Sequence, residues 1–223
     1  MPFGVRCGYR SGMARNVVVT TRPPGEAFQE DLRKYYRIHF DTETPPLAAR
    51  LCLWSTHFGL HCVAVHRMGE AARAARSRRP LLGLGAWAVW RALDLAINAL
   101  HHVDIDAAVG PGFYIGHAST LYVGPTRIGR NFSVTHNVTI GLGHAEAAEG
   151  IPVIGDDVWI GTGATLAGAV HVGDGATIAN GAVVSRSVPP GSLVAGNPGR
   201  VVLREYDNAA LFRLPRRGAR EER

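Results

Sequence analysis

Among side chains able to move a proton near neutral pH, histidine dominates this sequence, with ten present. A neutral imidazole suits general-base work, for example taking the proton of an alcohol as its oxygen forms a new bond. No serine or cysteine nucleophile stands out. Cys7, Cys52 and Cys62 are odd in number and lack metal-ligand spacing, which points to a reducing compartment and structural thiols. Most of the histidines have an ordinary reading. His39, His57, His61 and His66 fall in helical stretches as packing or surface residues. His101 and His102 sit at a helix end, where they can satisfy free carbonyls, and His171 faces solvent. His117, His136 and His144 remain. One of them could be an alcohol-activating base, and the three with a water could form a catalytic zinc site.

The elements that must position them announce themselves by a period of six. Ile154, Ile160, Leu166, Val172, Ile178 and Val184 recur at that interval, each followed by a small or polar residue. Four positions on from each comes a second set: Val158, Ala164, Val170, Ala176, Ala182 and Val188. A helix repeats at 3.6 residues and a strand at 2, so the pattern fits neither as a long element. It fits short strands joined by turns, stacked so that one aliphatic residue per strand enters a continuous column, as in a β-solenoid. Ile128, Val134 and Ile140 share the register, with Phe132 and Val138 four on; Val109 and Ile115 form an earlier pair. The register breaks between Ile140 and Ile154, where Gly141 to Gly150 reads as a loop thrown out of the coil.

Upstream, Phe28 to Phe40 and His57 to Arg78 read as helices, separated by the proline-containing Asp41–Pro46 segment. Leu81 to Leu100 is apolar and near bilayer-crossing length. Arg91, Asp94 and Asn98 draw a polar stripe along it, so the expectation is a buried helix in a soluble assembly, with no membrane insertion. The chain carries a net charge of +6, with Lys34 its only lysine. Arginines gather in a tail beside Glu221 and Glu222, read as a solvated end and not as a nucleic-acid site. Met1 to Arg15 shows no signal-peptide pattern, so a cytoplasmic location is expected. The expected organisation is a flexible extension over 1–25, a helical domain over 26–102, a solenoid over 103–203 with an extruded loop at 141–151, and a charged tail over 204–223.

Several stretches together resemble the serine O-acetyltransferases and their relatives. They are Gly110-Pro-Gly-Phe-Tyr-Ile-Gly-His117, the terminal Val188-Pro-Pro-Gly-Ser-Leu-Val-Ala-Gly-Asn-Pro-Gly-Arg200, and Asp31-Leu-Arg-Lys-Tyr-Tyr36, His66-Arg67-Met68-Gly69 and Val103-Asp-Ile105 in the helical block and its exit. The resemblance implies an α+β fold, an N-terminal helical cap followed by a left-handed parallel β-helix. It also implies a homotrimer or dimer of trimers, acetyl-CoA as co-substrate without a metal, and direct transfer to a small-molecule hydroxyl acceptor.

Roles follow from the same resemblance. His117 takes the place of the base and Asp104 that of its supporting carboxylate. Their spacing of thirteen is two shorter than in the serine enzymes, which leaves Asp106 as a competitor. His144 in the loop and His136 on a coil become acceptor contacts. On the coenzyme side, Gly143 supplies loop backbone near the thioester, while Thr162, Gly163 and Asn180 line the pantetheine channel. Arg186 suits a CoA phosphate, and Pro198 and Arg200 the adenine end. The departures concern the acceptor. Gly116 stands where serine enzymes carry an aspartate, and Gly150 and Ile151 where they carry an Arg-His pair. A carboxylate prefers a bidentate arginine, and Arg127 or Arg130 would have to substitute. A sugar, polysaccharide or natural-product hydroxyl is therefore expected, with L-serine as the alternative. A γ-class carbonic anhydrase-like zinc hydratase and an idle scaffold stand as further alternatives.

Overall fold

The computed structural model describes residues 23–141 and 152–212. Helix α1 (Pro24–Phe40) opens on proline, whose fixed φ suits a first helical turn, and ends at Asp41 in the left-handed conformation. Helix α2 (Leu47–Thr56) follows Pro46 and was not singled out by periodicity. One extended residue, His57, separates it from α3 (Phe58–Arg78). Helix α4 (Pro80–His101) returns along α3, close enough that a Cβ on Gly83 would lie 2.3 Å from the Arg76 backbone. Arg73 and Arg76 of α3 lie over Trp90 and Trp87 of α4.

Helix α4 is largely exposed in this single chain. Its Asp94 is half-buried and ion-paired to the exposed Arg91 one turn away, and Asn98 is exposed. The apolar surface, including Leu81, Leu84, Val89 and Leu100, is exposed, and only Gly83 is buried. By length and composition (mean hydropathy 1.3) α4 could cross a membrane, with 6% of that window buried.

The solenoid coils through three faces. The first face stacks the start of β1 (Val103–Val109), the start of β3 (Leu121–Ile128), β5 (Thr139–Gly141), β8 (Thr165–Ala167) and β11 (Val183–Val184). The second stacks the ends of β1 and β3, then β6 (Val153–Ile154), β9 (His171–Val172) and Val188. The third stacks β2 (Tyr114–Ile115), β4 (Ser133–Val134), β7 (Trp159–Ile160), β10 (Thr177–Ile178) and β12 (Leu193–Ala195). Each pairing is parallel. Trp159 pairs with Thr177, eighteen residues on, whereas Ser133 pairs with Trp159, twenty-six on; the extruded loop accounts for the extra eight. Both six-residue sets read from the sequence, from Ile154 to Val184 and from Val158 to Val188, are buried as one column. The expected class, a helical cap followed by a left-handed parallel β-helix, is borne out.

A solenoid has two open ends. At the lower one the chain reverses, and β13 (Arg200–Leu203) pairs antiparallel with β12. The Tyr206 N–H then donates to the Gly191 carbonyl and Asn208 Nδ2 to the Asp157 carbonyl. The start of the expected tail is thus docked on the coils. The upper end is covered by α1 and α3.

Candidate active site

The covering of the upper end is a set of buried polar side chains that stand in for a missing strand. Asp31 accepts from the Gly112 and Phe113 N–H groups and from the Arg67 guanidinium. Arg67 in turn donates to the Val109 and Gly110 carbonyls. Lys34 Nζ donates to the carbonyls of Gly112, Asn131 and Phe132, at 2.9–3.0 Å. The Tyr35 hydroxyl accepts from the Ile115 N–H at 3.0 Å and donates to the Ile115 carbonyl at 3.2 Å. All four side chains are buried. Burial raises the Asp31 carboxyl above its ordinary range against the opposing pull of Arg67, and lowers the Lys34 ammonium well below its own. Buried polar groups are tolerated where each is hydrogen-bonded, and here the cap and first coil satisfy each other. This clamp fixes residues 109–115, and the next two are Gly116 and His117. Nothing in the sequence marks these cap residues beyond their part in the family resemblance.

The corner between the third and first faces carries the reactive line. Gly116-His117 turns this corner on the first coil, Thr135-His136 on the second, Gly161-Thr162 on the third and Ala179-Asn180 on the fourth. Each is joined to the next through Gly116 N–H to Val134 O, Thr135 N–H to Ile160 O and Gly161 N–H to Ile178 O. The exposed His117 and half-buried His136 meet edge to face, ring centroids 5.7 Å apart. Thr162 Oγ1 donates to Thr135 Oγ1 at 3.1 Å, and Asn180 Oδ1 accepts from the Thr162 N–H at 3.0 Å. With strands spaced by 4.7–4.9 Å, His117 and Asn180 are about 14 Å apart along the edge. A Cβ on Gly181 would meet nothing within 4 Å, and on Gly163 nothing nearer than 3.9 Å. The lower part of this edge therefore has open space beside Gly163 and Gly181, flanked by Thr162 and Asn180. Pro198 and Arg200 lie exposed at the foot of this edge.

Other expected site residues stand elsewhere. The extruded loop leaves from Gly141 and returns at Pro152, at the corner between the first and second faces, and Arg186 occupies the same corner two coils below. The roots of the loop, Gly141 and Pro152, therefore stand on a different edge of the chain from His117. Gly143, His144, Gly150 and Ile151 lie outside the described residues. Asp104 is exposed, and its carboxyl is raised by desolvation and by Asp94 and Asp106, with Arg91 opposing. Among the described residues it has no hydrogen bond or ion pair to His117, and Asp106 has none either. Arg130 is bound to Asp156 on the third corner and Arg127 lies on the second face, so neither shares an edge with His117. Among the described residues, no group of three His, Cys, Asp or Glu side chains is placed to hold a metal.

Of the histidines read as packing or surface residues, His57 lies within electrostatic reach of His117, and His39 packs on His57. His57, on the α2–α3 joint, is held down by burial and then by His39, His117 and His61, its pKa pulled from 6.5 to about 4. Its ring is 4.7 Å from that of His39 and 5.1 Å from that of Tyr35. The joint is pressed on the first coil, since a Cβ on Gly59 would lie 2.1 Å from the Ile115 carbonyl oxygen. The only sequence signal was spacing: His57 precedes Gly59 by two residues, as His117 follows Ile115 by two.

Comparison with known proteins agrees with this geometry. Residues 151–186 match the family described as bacterial transferase hexapeptide (six repeats). A probable serine acetyltransferase 1 of Oryza sativa subsp. japonica is 39% identical over 145 residues, covering 64% of this chain and 48% of that protein. The serine acetyltransferase of Bacillus licheniformis is 36% identical over 151 residues, covering 66% of each. Among solved structures, serine acetyltransferase from Brucella abortus strain S19 in complex with coenzyme A aligns with TM-score 0.63 and 28% identity, over 80% of this chain and 67% of that one. The Neisseria gonorrhoeae serine acetyltransferase in complex with serine aligns with TM-score 0.61 and 26% identity, over 81% and 69%. The chain thus spans about half the length of the rice relative and 66% of the Bacillus one. Its solenoid carries hexapeptide repeats over residues 151–186. Within that class, its resemblance is to the serine acetyltransferases.

Proposed function

We propose that the protein is an acetyl-CoA-dependent O-acetyltransferase acting on a hydroxyl acceptor other than L-serine, with His117 as general base. The observation that carries this is the single edge that bears His117 and His136 above the open turns at Gly163 and Gly181. Thr162, Gly163 and Asn180 would hold the pantetheine arm, with Pro198 and Arg200 at its far end. The bound thioester supplies an acetyl carbon whose bond to sulfur breaks as the acceptor oxygen attacks. His117 takes the hydroxyl proton during attack and returns it to the departing thiolate, so the imidazole ends neutral.

The relatives' names favour L-serine, and Gly116 argues against it. A Cβ there would meet Thr135 Cγ2 at 3.5 Å and Tyr114 Cε1 at 3.6 Å, ordinary contacts. Packing leaves room for a side chain, so the missing carboxylate is a chemical difference and not a steric one.

The division of site residues between two corners supports a homotrimer, or a dimer of trimers, in which the His117 corner of one subunit faces the loop corner of the next. The loop glycine Gly143, His144 and Arg186 would then serve the neighbour's edge. Such a cyclic assembly uses one heterologous contact three times. The location read from the sequence, cytoplasmic and without membrane insertion, accords with assembly through exposed apolar surface such as that of α4. Mass spectrometry of acetyl-CoA incubated with amino acids, amino sugars and glycosides tests the reading. Acetylated product from wild type, and at least a hundredfold less from His117→Ala at unchanged CoA affinity, is expected; equal turnover by the variant removes it.

A further inference from the structure

The turn end of the α3–α4 hairpin has little of the fold against it. Helix α3 buries no residue beyond Ala72, and α4 buries only Gly83, which packs on the Arg76 backbone beside the turn. The other end of α4 is fixed to the first coils, where the Thr120 and Leu121 N–H groups donate to the His101 and His102 carbonyls. Twenty-two helical residues at about 1.5 Å each hold the turn roughly 33 Å from that anchor. At the turn the apolar side chains lie in solvent: Leu81 is 88% exposed and Leu82 69%, with Leu84 next to them. Contiguous exposed leucines of this kind mark a surface that meets something apolar.

The same end is basic. Between Glu70 and Asp94 the sequence holds Arg73, Arg76, Arg78, Arg79 and Arg91 and no acidic residue. Arg91 is ion-paired with Asp94, whereas the other four are exposed and have no ion pair among the described residues. Arg73 and Arg76 rest over Trp90 and Trp87, contacts that leave their charge in place. Leucines at a tip with arginines around it suit an interface where hydrocarbon enters a headgroup layer and guanidinium groups meet phosphates. Helix α4 does not fit a crossing of the bilayer, because Arg91, Asp94 and Asn98 interrupt it and it lies along α3 and its arginines. A second copy laid on this end by a two-fold axis would bring arginine against arginine. A nucleic-acid backbone would take the arginines and leave Leu81 and Leu82 in water.

We infer that the turn end of the hairpin, residues 76–84, docks the protein on a membrane surface rich in anionic phospholipid. Leu81, Leu82 and Leu84 enter the headgroup layer, and Arg76, Arg78 and Arg79 lie against lipid phosphates. Attachment is to the surface only, and residues 89–100 of α4, nearer the coils, stay free for subunit assembly. The docking is independent of the acyltransferase reading: it sets where the protein works and not what it does.

The test is co-sedimentation of the full chain with vesicles of phosphatidylcholine alone, or of phosphatidylcholine and phosphatidylglycerol in equal parts. Attachment to the mixed vesicles is expected to be at least tenfold stronger than to the neutral ones. It should vanish between about 0.1 M and about 1 M salt, as the screening length falls from about 10 to about 3 Å. One arginine at such a surface strengthens attachment about fivefold. Arg78→Glu combined with Arg79→Glu should therefore weaken it at least tenfold, and Leu81→Ser combined with Leu82→Ser by a similar factor. Both pairs are exposed, so the melting temperature should not change in either variant. Equal attachment to neutral vesicles, attachment to neither, or full attachment by both variants would overturn the inference. Preference for duplex DNA over the mixed vesicles at the same salt would also overturn it. So would a smaller assembly in light scattering for the leucine variant, which would make a second copy the occupant of the tip.

Discussion

Two inactive variants should restore each other when assembled together. The first is His117→Ala, which removes the base from one corner. The second replaces residues 142–151 by a short glycine link, which removes the loop from the other corner and leaves the aliphatic column on either side intact. Alone, the first should lose two or more orders of magnitude in turnover, as expected of general-base loss, and the second a comparable amount. His136 and Gly141 are five residues apart along the first face, roughly 16 Å at 3.3 Å per residue, so base and loop root stand on opposite sides of that face. If each site pairs one subunit's base with the next subunit's loop, a site works only where a loop-replaced chain precedes a base-replaced one. Random co-assembly at equal ratio then makes about a quarter of sites intact. Co-expression with two affinity tags, light scattering to establish a trimer, and an acetyl-transfer assay read the outcome. A mixed assembly no more active than its parents would refute the shared site. A loop-replaced chain with full activity would show that the loop is a surface bulge.

Tyr35→Phe should lower the melting temperature by an amount equivalent to about 1–3 kcal/mol, because the Ile115 N–H and C=O both lose their partner. It should also lower kcat with little change in CoA affinity, since the rung it holds leads into His117; a loss of CoA affinity alone would contradict that role. Gly116→Asp should fold normally, given the open contacts at that position, and raise kcat/KM for L-serine; no gain would mean that the serine preference is set elsewhere. His57 has a folded pKa below its unfolded one, so the unfolded chain binds the extra proton as pH falls. Its contribution to stability is full above about 6.5 and is lost progressively toward about 4, a slope that His57→Leu should flatten in melting curves recorded over that window.

The six-residue aliphatic register survived into the structure because it is a local rule repeated many times: each coil buries the same two positions whatever its neighbours do. Helices α1 and α3 were legible for a similar reason, whereas α2, ten residues between prolines and His57, is too short for a pattern to emerge. The cap clamp was not legible. Asp31, Lys34 and Arg67 look like ordinary charges of a helix surface, and their partners lie about forty to one hundred residues away in sequence. The roots of the loop were countable: Gly141 lies five residues after His136, nearly one full face, and so at the next corner. What covers α4 is not legible from composition, which reports what a helix avoids and not which molecule lies against it.

The positions along the edge of His117 and of Thr162 and Asn180 separate two jobs. His117 sits on the first coil, where the solenoid has no strand above it and the cap supplies hydrogen bonds in its place. Thr162 and Asn180 sit on the third and fourth coils, where the repeat is regular and eighteen residues long. On the proposed function, changes in the cap would alter the surroundings of the acceptor without touching the coils assigned to the coenzyme. Gly116, His57 and Tyr114 all lie in that upper zone, and the residues that match the hexapeptide family lie in the lower one. A chain built this way would keep its donor when its acceptor changes, so similarity over residues 151–186 bears on the proposed coenzyme coils and leaves the acceptor to the first coil.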